Sequence, residues 1–252
     1  MIPSPSLRAR VSQWRARAEM SPLTLVLLTI LFIFVFDNST FWQIGHGIFA
    51  GHLLSFATYI FAVACLMLAF FSAFSFPWLV KPFLAFMLVT SAITSYYMDT
   101  LGVIIDRDMI QNAMVTTVTE SKHLITPGFV THVVIYGVLP ALLVAFVKLR
   151  RFGLLRTVAT PLAGLVVGLA LAAGLLMTDM KSYSSILRER KDFMSSFQPG
   201  APLVGAIRYA KMMMKTANVT VAAIGKDAAN PDEATQVPSL NEEKIYRVFT
   251  LI

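Results

Sequence analysis

Apolar residues in this chain come in long, nearly unbroken runs, and the polar residues are gathered between them. Five runs are long enough to cross a bilayer, whose hydrocarbon core takes about 20 helical residues. They extend roughly from Pro22 to Trp42, Gly47 to Phe74, Pro82 to Met98, Phe129 to Val147 and Thr157 to Thr178. The third is the shortest and is flanked by Lys81. The pattern predicts an all-α membrane protein with five transmembrane helices. An N-terminal segment (1–21) precedes the helical domain (22–178), and a mostly helical tail (179–252) follows it. Asp37 falls near the outer end of the first run, where it need not be buried.

The one long polar interruption is DRDMIQNAMVTTVTESKHLITPG, residues 106–128. Asp108, Asn112, Thr116 and Glu120 recur every four residues. On a helix each such step rotates by about 40°, so Asn112, Thr116 and Glu120 would fall within about 80° of arc. Asp106 is placed as an N-cap, Asp108 lies in the first turn, and Ile105 and Ile110 are spaced as a hydrophobic staple. Thr126 and Pro127 read as the cap and first residue of the next helix. A surface helix over 106–124 is therefore expected between the third and fourth spans, with Met109, Ile110, Ala113 and Met114 on its other sides. Its polar stripe has two readings. One is a solvated face. The other is a lipid-headgroup site in which Glu120 holds an ammonium while Asn112 and Thr116 donate to a phosphate.

Composition agrees with the runs: 56% of residues are hydrophobic and 14% charged, against about 25% charged in soluble domains. The net charge of +7 does not point to nucleic acid. Its basic residues sit at the ends of apolar runs and in the tail, where anionic lipid is the better partner. Basic and non-basic connections alternate along the chain. Arg8, Arg10, Arg15 and Arg17 precede the first run, Lys81 lies in the second loop, and Lys148, Arg150, Arg151 and Arg156 make up the fourth. The positive-inside rule then sets the N-terminus in the cytoplasm and, after five crossings, the C-terminus in the periplasm. No small-x-small cleavage pattern follows the first run, so it is expected to stay as an anchor. The single Cys65 rules out an internal disulfide. His52 and His132 read as structural residues, and Trp42 and Trp78 as interfacial aromatics. Gly164 with Gly168, and Gly47 with Gly51, have the spacing of close helix packing. Pro140 and Pro161 are expected to kink their helices. Ionisable residues deep in the spans, as a transporter would need, are almost lacking.

Two patches carry a resemblance. The stretch from Ser95 to Leu149 contains Asn112, Thr116-Thr117, Glu120-Ser121, Thr126-Pro127 and Gly137-Val138-Leu139-Pro140, and YSSILRERK follows at 183–191. Together they resemble the membrane domain of the lipid A phosphoethanolamine transferases, the family that includes the mobile colistin-resistance enzymes. The resemblance implies five transmembrane helices, a periplasmic surface helix and a bacterial inner-membrane location. In that family a periplasmic catalytic domain moves phosphoethanolamine from phosphatidylethanolamine onto a Thr beside zinc, then onto lipid A. The residues matching Asn112, Thr116 and Glu120 would lie on the substrate approach.

This chain departs from the pattern after the spans. Gly-Glu-Thr-Ala-Arg, which holds the family's nucleophile, does not occur, and the tail has no His. The chain is therefore expected to have no catalytic residue, zinc site or other cofactor of its own. A clipped or frameshifted gene product and an isolated domain would look alike in this respect. Two functions follow. One is the anchoring and headgroup-docking part of such a transferase, inactive by itself and unable to confer polymyxin resistance. The other is a non-enzymatic inner-membrane protein that binds lipid or a partner through its outer helix and basic tail.

Overall fold

The computed structural model describes residues 19–116, 123–150, 152–190, 193 and 195–217. The chain divides into two compact units, Met1–Lys211 and Met212–Ile252, and the helical bundle belongs to the first. Helix α1 (Pro22–Phe36) begins where Ser21 Oγ accepts a hydrogen bond from the Thr24 N–H at 3.1 Å. Pro22 occupies the first turn, where its missing N–H costs nothing. Val26 and Ile33 of α1 are buried while Leu27 and Leu31 are exposed, so one side meets the bundle and the other is left for lipid. At Asp37 and Asn38 the chain bends by 68° into α2 (Ser39–Ile48).

Four longer helices complete the bundle: α3 (Leu53–Ala73), α4 (Val80–Leu101), α6 (Pro127–Phe146) and α7 (Leu154–Met177). A short α5 (Arg107–Val115) lies between α4 and α6. Helices α3, α6 and α7 are long and apolar enough to cross a membrane, and the bent pair α1–α2 makes a fourth if it is one span. Helix α4 covers the shortest expected span but is not apolar enough to join them. Its position explains the difference. Ser91, Thr94 and Ser95 are buried among neighbouring helices rather than turned to lipid, and Thr94 Oγ1 donates back to the Thr90 carbonyl at 2.8 Å. A helix walled by protein can carry small polar residues that a lipid-facing one cannot. Gly102 ends α4 at φ +65°, in the left-handed region that closes helices.

Close packing depends on particular glycines. A Cβ at Gly168 of α7 would lie 2.8 Å from the Ala69 nitrogen and the Cys65 carbonyl oxygen of α3, so the two backbones touch. The Gly164–Gly168 spacing is thus the packing seam it was expected to be. Gly47 and Gly51 are not: a Cβ added at either would meet no neighbouring element within 4 Å, and Gly51 instead takes φ +85° in the turn between α2 and α3. In α6 a π-helical stretch (Val133–Val138) comes just before Pro140, where the regular ladder is interrupted. Trp42 is drawn into the core, its Nε1 donating to the Phe34 carbonyl at 2.8 Å, while Trp78 stays exposed.

The bundle has two chemically distinct ends. At one, Glu19–Met20 (β1) pairs in parallel with Lys148–Leu149 (β2), Lys148 Nζ lies 3.1 Å from Glu19, and Lys81 Nζ donates to the Ala145 carbonyl at 2.8 Å. At the other lie the C-terminal ends of α1 and α4, with Asp37 and Asp99, and the chain leaving α7 at Asp179. Helix α8 (Met180–Glu189) packs Tyr183 into the core. The stretch after it folds back into this second end. Phe193 stacks on Phe41 at 5.0 Å, and Phe197 meets Phe34 and Phe41 at 5.2 and 5.3 Å. Helix α9 (Gly200–Ala217) follows.

Candidate functional site

The polar loop starts as its sequence suggests. Asp106 Oδ1 accepts from the N–H groups of Asp108 and Met109 at 3.0 and 2.9 Å, which caps α5. Asp108 pairs with Arg107 at 2.5 Å near the positive end of the helix. Thr126 Oγ1 accepts from the Phe129 N–H at 3.1 Å and caps α6 ahead of Pro127. Its hydroxyl also meets the Tyr96 hydroxyl at 2.9 Å.

The helix does not run unbroken to Leu124: residues 117–122 lie outside the described residues, and 123–124 are again helical. It stops at Val115, and Thr116 turns to an extended conformation (φ −65°, ψ 134°) with its hydroxyl donating to the Asn112 carbonyl at 2.7 Å. The physical reason is in the sequence: Val115, Thr116, Thr117, Val118 and Thr119 are five successive β-branched residues, which lose rotamer freedom in a helix. Of the three expected site residues, the structure brings Asn112 and Thr116 together at the end of α5, Asn112 exposed and Thr116 half-buried. Glu120 lies outside the described residues. Helix α9 approaches the start of α5 closely. A Cβ at Gly205 would lie 3.0 Å from Ile110 Cδ1 and 3.1 Å from the Asp106 carbonyl carbon.

A second polar cluster, under the same end of the bundle, was not singled out in the sequence. Asn38 Nδ2 donates to the Gln198 carbonyl at 3.2 Å, and the Gln198 N–H donates to Asn38 Oδ1 at 2.7 Å. The Gln198 side chain accepts from Thr94 Oγ1 at 2.7 Å and donates to Met98 Sδ. Thr40 Oγ1 donates to Asp99 at 2.5 Å. His132 Nε2 meets Ser95 Oγ at 3.2 Å, which supports its structural reading. Asp37 is corrected outright. It is 1% exposed, because the bend at Asp37–Asn38 turns it inward instead of leaving it at a rim. A polar pair ending an apolar run was the available signal for Asp37 and Asn38; nothing local marks Gln198.

Among the described residues no three His, Cys, Asp or Glu side chains lie close enough together to hold a metal ion.

A bundle of helices, at least three of them long and apolar enough to cross a membrane, with a capped short helix and a back-folded segment at one end, defines the class: an α-helical membrane domain. Residues 63–214 match the family described as phosphoethanolamine transferase EptA/EptB, so the chain belongs to that family. It is similar to the phosphatidylethanolamine transferase Mcr-1 of Escherichia coli, 31% identical over 80% of this chain and 38% of the relative. Mcr-2 of Escherichia coli is 30% identical over 87% and 42%. The phosphoethanolamine transferase EptA of Escherichia coli K12 is 31% identical over 61% and 28%. Among solved structures, the integral membrane lipooligosaccharide phosphoethanolamine transferase A of Neisseria meningitidis superposes with a TM-score of 0.72 at 25% identity, covering 80% of this chain and 38% of that one. The chain spans about two fifths of the Mcr relatives it matches.

Proposed function

We propose that this chain is the membrane-anchoring and lipid-headgroup-docking part of a phosphoethanolamine transferase. Phosphatidylethanolamine is the donor lipid and lipid A the acceptor, at the periplasmic face of a bacterial inner membrane. The carrying observation is the family match over 63–214, which includes α5 and all three proposed headgroup residues. Glu120 attracts the ammonium, and Asn112 and Thr116 orient the phosphate. The exposed Asn112 amide at the end of α5 supports this reading, as does the close seat of α9 against the start of that helix, which fixes where Asn112 can reach.

Five spans with the N-terminus in the cytoplasm and the C-terminus in the periplasm complete the proposal. Its support is the segregation of Lys81 and Lys148 to one end and of Asp37, Asp99 and Asp179 to the other. On this reading the transfer chemistry, with its nucleophile and zinc, belongs to a catalytic domain outside this stretch.

The test joins the chain to a family catalytic domain and reads phosphoethanolamine addition to lipid A by mass. Glu120→Ala lowers transfer about tenfold, the size of one charge-assisted contact, while the neighbouring Ser121→Ala leaves it near normal. Equal transfer by the two variants would return the stripe to a solvated face and favour a membrane protein that binds lipid without taking part in transfer.

A further inference from the structure

Asp37 is the one acidic residue buried in the bundle among the described residues, and its surroundings all disfavour a bare negative charge. Both carboxylate oxygens lack a hydrogen-bond partner. The residue caps the C-terminal end of α1, where the helix dipole is negative. There the Ile33 carbonyl accepts from the Asp37 N–H and Asn38 Nδ2, and the Phe34 carbonyl from Trp42, which leaves those of Val35 and Phe36. A second carboxylate, Asp99, lies within electrostatic reach and repels it. Neither of the two salt bridges among the described residues involves Asp37. An uncompensated buried carboxylate costs several kcal/mol, so folded chains neutralise one with a proton or a cation.

The geometry favours the cation. The backbone breaks here by 68° between α1 and α2, so a half-helix C-terminus ends at the carboxylate itself. Broken membrane helices of this kind coordinate small monovalent cations through carbonyls at the half-helix end. Three side chains add oxygen nearby. Asp37 has two uncommitted oxygens, Asp99 carries one beyond the oxygen that Thr40 engages, and the Thr40 hydroxyl keeps its acceptor lone pairs. Asp99 is exposed and Asp37 is buried. A divalent transition metal is disfavoured, since no group of three metal-ligating side chains forms.

We propose that Asp37, with Asp99 and the C-terminal carbonyls of α1, forms a binding site for an alkali-metal cation, sodium or potassium, at the break between α1 and α2. The site is separate from the Asn112–Thr116–Glu120 stripe and does not depend on its role. A bound ion would fix the bend that places Asn38 against Gln198, and so hold the segment leading to α9.

The full chain in lipid nanodiscs tests this by its unfolding midpoint at constant ionic strength, titrated with sodium, potassium or choline chloride. Sodium or potassium should raise the midpoint saturably by several degrees while choline does not. Asp37→Asn should abolish the response. Asp99→Asn, a change at an exposed position that leaves the fold intact, should weaken the apparent affinity about tenfold. Identical midpoints in all three salts would overturn the proposal and leave a proton as the neutralising partner. So would an unchanged titration in Asp99→Asn if Asp37→Asn fails to fold, or in Asp37→Asn if it folds. Loss of headgroup docking through Glu120 leaves these titrations untouched, so the two failures are distinguishable.

Discussion

At the scale of single residues, Asn38 holds the back-folded segment by satisfying both backbone groups of Gln198, a residue 160 positions away. Removing a partner from a buried polar group costs about 1–3 kcal/mol. Asn38→Ala orphans a donor and an acceptor together, so it should cost roughly 2–4 kcal/mol in reversible unfolding. Gln198→Ala keeps those two bonds and loses only the Thr94 and Met98 contacts, so it should cost less. A reversed order would mean that the segment is held by its rings. Asp179 gives a pH expectation. Hydrogen bonds from Ser182 and Ser55 hold its carboxyl below the ordinary value of 3.8. A lowered folded pKa means that the contribution is complete above the ordinary value and fades as pH falls through the lowered one. Asp179→Asn should therefore lower stability slightly at neutral pH, where the wild-type contribution is complete, and the difference from wild type should shrink towards zero as pH falls through the lowered value. A difference from wild type that stays the same from neutral to acid pH would contradict this origin.

Between helices, what decides the fold is how closely backbones approach. Gly168 meets backbone atoms of α3 on two sides, which cannot rotate away as a flexible side chain would. Gly168→Ala should separate α3 from α7 and cost about 1–3 kcal/mol, as overpacking does. Gly174, on the same helix, has nothing within 4 Å, so Gly174→Ala should be neutral or mildly stabilising. Equal effects would show that helix propensity, and not the seam, governs α7. The same comparison shows what a sequence can reveal. The caps at Asp106 and Thr126 were legible because each rests on neighbours within a few positions, whereas the Gly164–Gly168 seam, though it held, is completed by Cys65, Ala69 and Ser72 of α3 far along the chain. The identical spacing of Gly47 and Gly51 misled, because spacing does not say whether a second helix is present to fill it. The early stop of α5 was written in the β-branched run from Val115 to Thr119, which the four-residue polar period concealed. Gln198 depends on contacts 100 or more residues apart in the chain, and no local pattern encodes those.

For the whole molecule, the open matter is which way the bundle sits in the membrane, since a headgroup site at the Asp99 end has meaning only on the side where donor and acceptor lipids meet. Lys81 donates to the Ala145 carbonyl, and Lys148 pairs with Glu19. Lys81 lies near the start of α4 and Asp99 near its end, so the two lie about 27 Å apart along the 22-residue helix. That is close to a bilayer's hydrocarbon thickness. One end therefore collects the short basic connections between spans, and the other carries Asp37, Asn38, Asp99 and Asp179 together with basic residues of α5 and α8. If retention of Lys and Arg in the cytoplasm sets the orientation, alkaline phosphatase fused after Tyr183, just past α7, should be active. The same reporter after Arg151, in the basic connection between α6 and α7, should be inactive. Adding Lys residues to the connection between α2 and α3, which now carries none, should lower the activity of the Tyr183 fusion by weakening the charge difference across the first crossings. Activity after Arg151 but not after Tyr183 would invert the bundle, place Asn112 and Glu120 in the cytoplasm, and end the case for headgroup docking whatever those residues do in isolation.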